Sequence, residues 1–295
     1  MTGTTFEPVD AVRGITSPAD VAAAVQLACL LEASAPKPGN VSPGRPFHDL
    51  RYEDFLAGAA AIGAPIAGAA TRPLGATIRL ALDAAARWTR SNVNLGLVLV
   101  LAPLARAAMQ RSDQALRDSV RDVLGATTVD DAREVYAAIR RAAPGGLGRV
   151  AEQDVQGDPT MTLLDVMRLA AERDRIAGEY ATAFELTFGI GRPALERARR
   201  DGLSWDDAVI ETFLTLLASS PDTHIARRGG AALAADVSSH AASAIAAGGV
   251  RSAQGRRAIE EMDAALRDAH HLANPGTTAD LTAGAIFVVL VDGSK

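Results

Sequence analysis

Residues 95–109, LGLVLVLAPLARAAM, are apolar on every side, and a helix of that kind is stable only when neighbours cover its whole circumference. The stretch predicts a central buried helix, kinked at Pro103, within a bundle of others. Residues 97–101 and 286–291 have strand-like composition, but neither has an alternating partner or an Asn-Gly or Asp-Gly hairpin turn beside it. Alanine supplies about a fifth of the 295 residues and aromatics only 4%. That usage favours helices meeting at short distances over sheets, which draw on branched and aromatic side chains. The fold reads as all-α: a single large globular domain of many helices over 17–295, preceded by an arm at 1–16.

Outward from the central segment the same punctuation recurs. Ser17-Pro18 pairs a capping hydroxyl with proline at the first helical position, and Val21, Val25, Ala28 and Leu31 follow at core-facing spacing. Ser112, Thr128, Thr162 and Ser204 open further helices, Thr128 and Ser204 with an aspartate three residues on. Gly125, Gly145 and Gly202 stand where helices should stop. Stretches at 71–90, 175–188, 231–247, 256–272 and 279–291 complete the helices. The one Gly-rich break, PGGLGRVAEQDVQGDPT at 144–160, either separates two helical lobes or forms an ordered loop over a site.

Charge and cysteine content exclude several classes. Thirty basic against 35 acidic residues give a net charge of −5 with no long run of one sign, so no nucleic-acid footprint is expected. The lone Cys29, in QLACLL, excludes an intrachain disulfide and a Cys-ligated zinc site, and reads as a buried thiol. The longest apolar runs, 95–105 and 283–291, fall short of the ~20 residues of a membrane span. The N-terminal MTGTTFEPVDAVRG lacks the basic and apolar regions of an export signal, so a cytoplasmic chain is expected.

The candidate chemistry sits in polar segments between these helices. Lysine occurs twice, at Lys37 and Lys295, so 28 of the 30 basic residues are arginine. Lys37 lies in Pro36-Lys37-Pro38-Gly39-Asn40, a stiff turn that either carries a solvated lysine or aims a compact ammonium at a phosphate, with Gly39 admitting backbone to the ligand. His48-Asp49 could ligate Mg2+ or act as a base. Asn92, Asn94 and Gly96, in SNVNLG, precede the central helix, whose exposed N–H groups favour anions; a helix cap with a buried amide is the plainer reading. Arg175 and Glu179 share a helix face that points to the core or to a site lip. Asp222, His224, Arg227 and Arg228, in SPDTHIARRGG, suit metal plus phosphate. In NPGTTAD, Gly276, Thr277 and Thr278 offer amides and hydroxyls at a helix start, with Asp280 in the first turn. No G-x-x-x-x-G-K-[ST] loop is present, which disfavours an ordinary P-loop NTPase.

Taken in order, PKPGN, His48-Asp49, SNVNLG, DTHIARRGG and NPGTTADL resemble the motifs of the triphosphoribosyl-dephospho-CoA synthase family over most of the chain. The resemblance implies an all-helical enzyme that moves the triphosphoribosyl part of ATP onto 3'-dephospho-CoA, releases adenine and uses Mg2+. Lys37, Gly39, His48, Asp49, Asn92, Gly96, Asp222, Arg228, Gly229, Gly276 and Asp280 fall on the family's motif positions, and the expected catalytic groups are Asp49 and His48, with Glu179 added from the residue reading above. Nucleotide and phosphate contacts would come from Lys37, Gly39, Asn40, Asn92, Asn94, Gly96, Arg227, Arg228, Gly276, Thr277 and Thr278, and metal contacts from Asp49, Asp222 and Asp280. Members typically read Asn-Thr-His-Lys-Gly where this chain has Asn92-Val93-Asn94-Leu95-Gly96, so an imidazole and an ammonium are missing, and Arg227 and Arg228 are the expected substitutes. The other readings are a branch acting on a different phosphorylated substrate, an N-glycosidic hydrolase, and a non-catalytic nucleotide-binding protein. The expected partners are ATP and a phosphorylated acceptor, with a homodimer among the assemblies open to the chain.

Overall fold

Two helices without a polar face set the architecture: α4 (Leu95–Gln110) and α14 (Gly276–Asp292) lie against each other at the centre of the molecule. The computed structural model describes residues 17–89, 93–268 and 270–292. The arm at 1–16 and Asn92 lie outside the described residues. Gly284 brings the two central helices together, because a Cβ there would lie 2.8 Å from Val100 Cγ1. Residues 97–101 and 286–291, strand-like by composition, are helical and buried.

The remaining helices wrap this pair. α1 (Pro18–Ser34) packs on both α4 and α14. On its outer side lie α2 (Tyr52–Ala67), then α3 (Leu74–Ala85), while α5 (Leu116–Gly125) covers α4 and α6 (Val129–Ala142) covers α3. Next come α7 (Leu163–Ala170) and α8 (Arg175–Thr182), which pack on each other. The C-terminal half adds α9 (Arg192–Arg200), α10 (Trp205–Ser219), α11 (Thr223–Gly229), α12 (Ala231–Ala246) and α13 (Ala253–Leu266), with α10 and α9 against α14. No strand occurs among the described residues. None of the described helices is long and apolar enough to cross a membrane.

Local sequence explains most helix starts. Ser17 and Thr128 form capping boxes with Asp20 and Asp131, and Thr162 and Ser204 each accept an N–H three residues on. The helix expected from Ser112 begins at Leu116, the first residue that can bury; Gln114 instead folds back to donate to Ser119 Oγ at 2.7 Å. Ala143, in the left-handed conformation (φ 44°), ends α6 ahead of Gly145. The continuous helix expected over 175–188 is broken: Ala183 and Phe184 take positive φ (50° and 61°), and a π-helical turn, Thr187–Gly191, follows.

Candidate functional site

A cavity of about 950 Å3 opens where the N-terminal ends of α4, α8 and α14 meet the C-terminal end of α1, and the 143–155 segment forms one of its walls. Helix N-termini present unpaired N–H groups and a partial positive charge, so their convergence favours an anionic ligand. Arginines reinforce that field. Arg227 pairs with Asp174, whose other oxygen caps α8 through Ile176 N (2.9 Å) and Ala177 N (3.2 Å). Arg228 donates to the carbonyls of His270 (3.0 Å) and His271 (3.1 Å). Arg149 and Arg173 also line the cavity; they face Asp154 and help lower its carboxyl, after its backbone hydrogen bonds, without a salt bridge among the described residues.

The acidic side of the cavity is built on Asp280 and Glu32. Asp280 lies against the first turn of α4, where a Cβ on Gly96 would come 1.9 Å from Asp280 Oδ2. Its carboxylate makes no hydrogen bond or ion pair among the described residues. Burial pushes its carboxyl well above the usual range, and the charges of Glu32, Asp222 and Asp174 add to the effect. Glu32, buried at the end of α1, pairs with Lys37 at 3.0 Å. Asn40 donates to Asn274 Oδ1 at 2.6 Å, while its own buried Oδ1 has no partner. Burial, against the pull of Asp222, lowers His224 to about 4, so its imidazole is neutral at pH 7.

The family model described as ATP:dephospho-CoA triphosphoribosyl transferase (CitG) matches residues 18–295. The chain belongs to this family. It is 35% identical over 105 residues to the protein assigned as 2-(5''-triphosphoribosyl)-3'-dephosphocoenzyme-A synthase in Pseudomonas putida, covering 36% of this chain and 37% of that one. To the synthase of the same name from Klebsiella pneumoniae it is 33% identical over 101 residues, 34% of this chain and 35% of that one. The matches thus span only about a third of the length of these curated relatives. A crystal structure of an Archaeoglobus fulgidus protein assigned as triphosphoribosyl-dephospho-CoA synthase superposes with a TM-score of 0.63 at 27% identity, covering 81% of this chain and all of that one.

Of the expected site residues, Asn40, Asp49, Gly96, Arg227, Arg228, Gly276 and Asp280 line the cavity. Several others do not reach it, and each has a physical reason. Lys37 is 1% exposed; its ammonium binds the carbonyls of Glu32 and Ala35 and the Glu32 carboxylate, closing the C-terminal end of α1 instead of swinging towards a phosphate. Gly39 takes φ +75° and packs on α13, where a Cβ would lie 2.8 Å from Leu266 Cδ1, so its freedom serves packing and not ligand approach.

Asp222, expected at a metal, is fully buried and saturated: Oδ1 accepts from His224 N (2.8 Å) and Ile225 N (3.1 Å), and Oδ2 from Thr278 N and Oγ1 (both 2.7 Å). Thr277 and Thr278 are buried beneath the cavity, tied to Thr223 and Asp222. Glu179 accepts from Leu186 N (2.8 Å), Thr187 N (2.9 Å) and Thr187 Oγ1, which satisfies the backbone at the break after α8; it does not line the cavity. Arg175 closes the end of α10 through Leu216 O and Ser220 O. Asn94 is buried with its amide packed over Gly58 of α2. His48 stands exposed at the rim beside Asp49 and His271.

The sequence reading passed over Glu32, Arg149, Arg173, Asp174 and His271, all in the cavity wall. Arg149 carried a signal, since it follows the Gly-rich run of the 143–155 segment; Glu32 carried none, looking like any polar residue near a helix end.

Proposed function

We propose that this protein transfers the triphosphoribosyl group of ATP to 3'-dephospho-CoA with release of adenine. The observation that carries the reading is the meeting of three helix N-termini and four arginines around one cavity, in a chain matched to the transferase family from residue 18 onward. Such a cavity, at the upper end of the ~300–1,000 Å3 range of small-molecule sites, suits a large polyanion. Arg149 and Arg173, which face Asp154 without a salt bridge to it, would take the cationic role that Arg227 and Arg228 were expected to fill; those two brace Asp174 and the 270–271 turn.

Asp280 and Glu32 carry the hard oxygen donors that Mg2+ takes and would hold it. Burial raises the Asp280 carboxyl most and the charge of Glu32 adds to it, and a divalent cation held by these residues would oppose both. Bound there, Mg2+ would neutralise and orient the triphosphate. The chain's own contribution would be to hold Asp280 against Gly96 and to stabilise positive charge developing on the ribose as the bond to adenine breaks. Asp49, which lines the cavity at its rim, would take a proton from an accepting hydroxyl. This reading puts the protein in the cytoplasm with its substrates.

Chromatography for adenine tests the proposal. Release from ATP is expected only with dephospho-CoA present; equal release without it means hydrolysis, and none in either case removes the assignment.

A further inference from the structure

We propose that His48, Asp49 and His271 form a site for a borderline divalent cation of the Zn2+ and Co2+ class at the mouth of the cavity. This goes beyond the transfer reading, since it requires neither ATP nor an acceptor. The two imidazoles come from segments 223 residues apart, and His48 Nδ1 lies 3.0 Å from His271 Nε2. Asp49 Oδ1 is 3.8 Å from His48 Nδ1, and donor atoms of all three residues lie within 4.8 Å of one another. Ligands bonded at ~2.0–2.1 Å to one ion sit about 2.9–3.4 Å apart when adjacent, so the two nitrogens, at 3.0 Å, fall within that range. The Asp49 carboxylate, on an exposed side chain, closes the remainder by rotation about its own bonds.

His271 is pre-set for such a role. Its backbone is left-handed (φ 50°), a conformation uncommon for a residue with a side chain, and it persists only where its surroundings impose it. Three contacts do so. The His271 ring stacks on Phe47 with centroids 3.7 Å apart and planes 12° from parallel. Arg228 holds the carbonyls of His270 and His271. Asp268 accepts His270 N at 2.6 Å and Leu272 N at 3.0 Å, closing the turn. The two rings share a single N–H···N bond, with the Asp49 carboxylate 3.8 Å from His48 Nδ1. An ion in place of that proton would engage all three, with the His48 proton moved to Nε2 of its exposed ring.

Two imidazoles with one carboxylate select imidazole-binding transition ions over Mg2+ or Ca2+, which take all-oxygen sets. The site is thus distinct in chemistry from the Asp280 and Glu32 oxygens. Asp49 and His271 line the cavity, so the unfilled coordination positions are accessible from it.

The test is calorimetric titration of the tag-free full chain with Zn2+ and, separately, Co2+, without nucleotide. One ion per chain is expected, weakened at least tenfold in His48→Ala, Asp49→Asn and His271→Asn, and unchanged in His240→Ala, whose exposed imidazole lies near Asp236 on α12. Asn tolerates the left-handed backbone at 271, and circular dichroism monitors folding. His48 is exposed, so its variant keeps the test decisive even if His271→Asn is unstable. Absence of saturable one-to-one binding in the wild type, or binding that survives His48→Ala, overturns the proposal.

Discussion

Replacing Asp222 separates a structural carboxylate from a metal ligand. Its four acceptor positions are occupied by His224 N, Ile225 N, Thr278 N and Thr278 Oγ1, so one side chain closes the start of α11 and the first turn of α14. Asp222→Ala removes a helix cap, about 1 kcal/mol, and strands the buried Thr278 N–H, about 1–3 kcal/mol. Losing the charge-assisted bond to Thr278 Oγ1 brings the total to about 3–5 kcal/mol. Asp222→Asn keeps one oxygen but turns an amide N–H towards a donor, for about 2 kcal/mol. At roughly 2 °C per kcal/mol for a chain of this size, the melting temperature should fall about 6–10 °C for Ala and about 4 °C for Asn. Melts followed by circular dichroism, with and without Mg2+ and ATP, check this, and the drops should be equal under both conditions. If Asp222→Asn melts with the wild type and loses only the Mg2+-dependent rise, Asp222 is a ligand and its assignment to the scaffold fails.

Three further outcomes follow from the same geometry. Lys37→Met should destabilise by about 3–5 kcal/mol, because it leaves Glu32 charged and unpaired in a buried position; urea unfolding measures it, and a normal unfolding midpoint with weakened ATP binding would restore Lys37 as a phosphate ligand. Gly96→Ala should fold yet lower adenine release on the order of 100-fold, because its Cβ displaces the Asp280 carboxylate; unaltered kcat/KM counts against Asp280 as a reacting-site group. Asp280 has a raised folded-state pKa, so the folded state binds more protons than the unfolded state from the ordinary carboxylate range up to that raised value, and stability falls as pH rises through this window. Asp280→Asn should flatten that slope and raise the melting temperature at neutral pH while abolishing adenine release; a steeper slope in the variant refutes the sign.

The all-α fold was legible because its cues are local. A segment apolar all round at 95–109 can only be a core helix, and Ser17, Thr128, Thr162 and Ser204 cap the helices they precede. The break after α8 was not legible, because Ala183 and Phe184 carry no glycine or proline signal and depend on Glu179 reaching seven and eight residues ahead to the freed N–H groups. Lys37 misled for a different reason. Its scarcity marked it correctly as unusual, but composition says nothing about direction, and the unpaired carbonyls at the end of α1 lie nearer to its ammonium than the cavity does.

The clearest limit concerns Asp222 and Asp280, two aspartates at helix starts that read alike in sequence. A carboxylate near a helix N-terminus has two uses: it can accept the helix's own free N–H groups, or it can remain unpaired and face a ligand. Sequence position does not distinguish them, because the deciding quantity is how many donors the fold brings to each oxygen. Asp222 stands one residue before α11, where its own helix supplies two N–H groups, and Thr278, 56 residues away, supplies the other two donors. Asp280 stands four residues into α14, past the positions whose N–H groups are free, and its neighbour across the helix crossing is Gly96, which offers no side chain. One is therefore consumed in joining two helices, and the other keeps its oxygens for whatever enters the cavity.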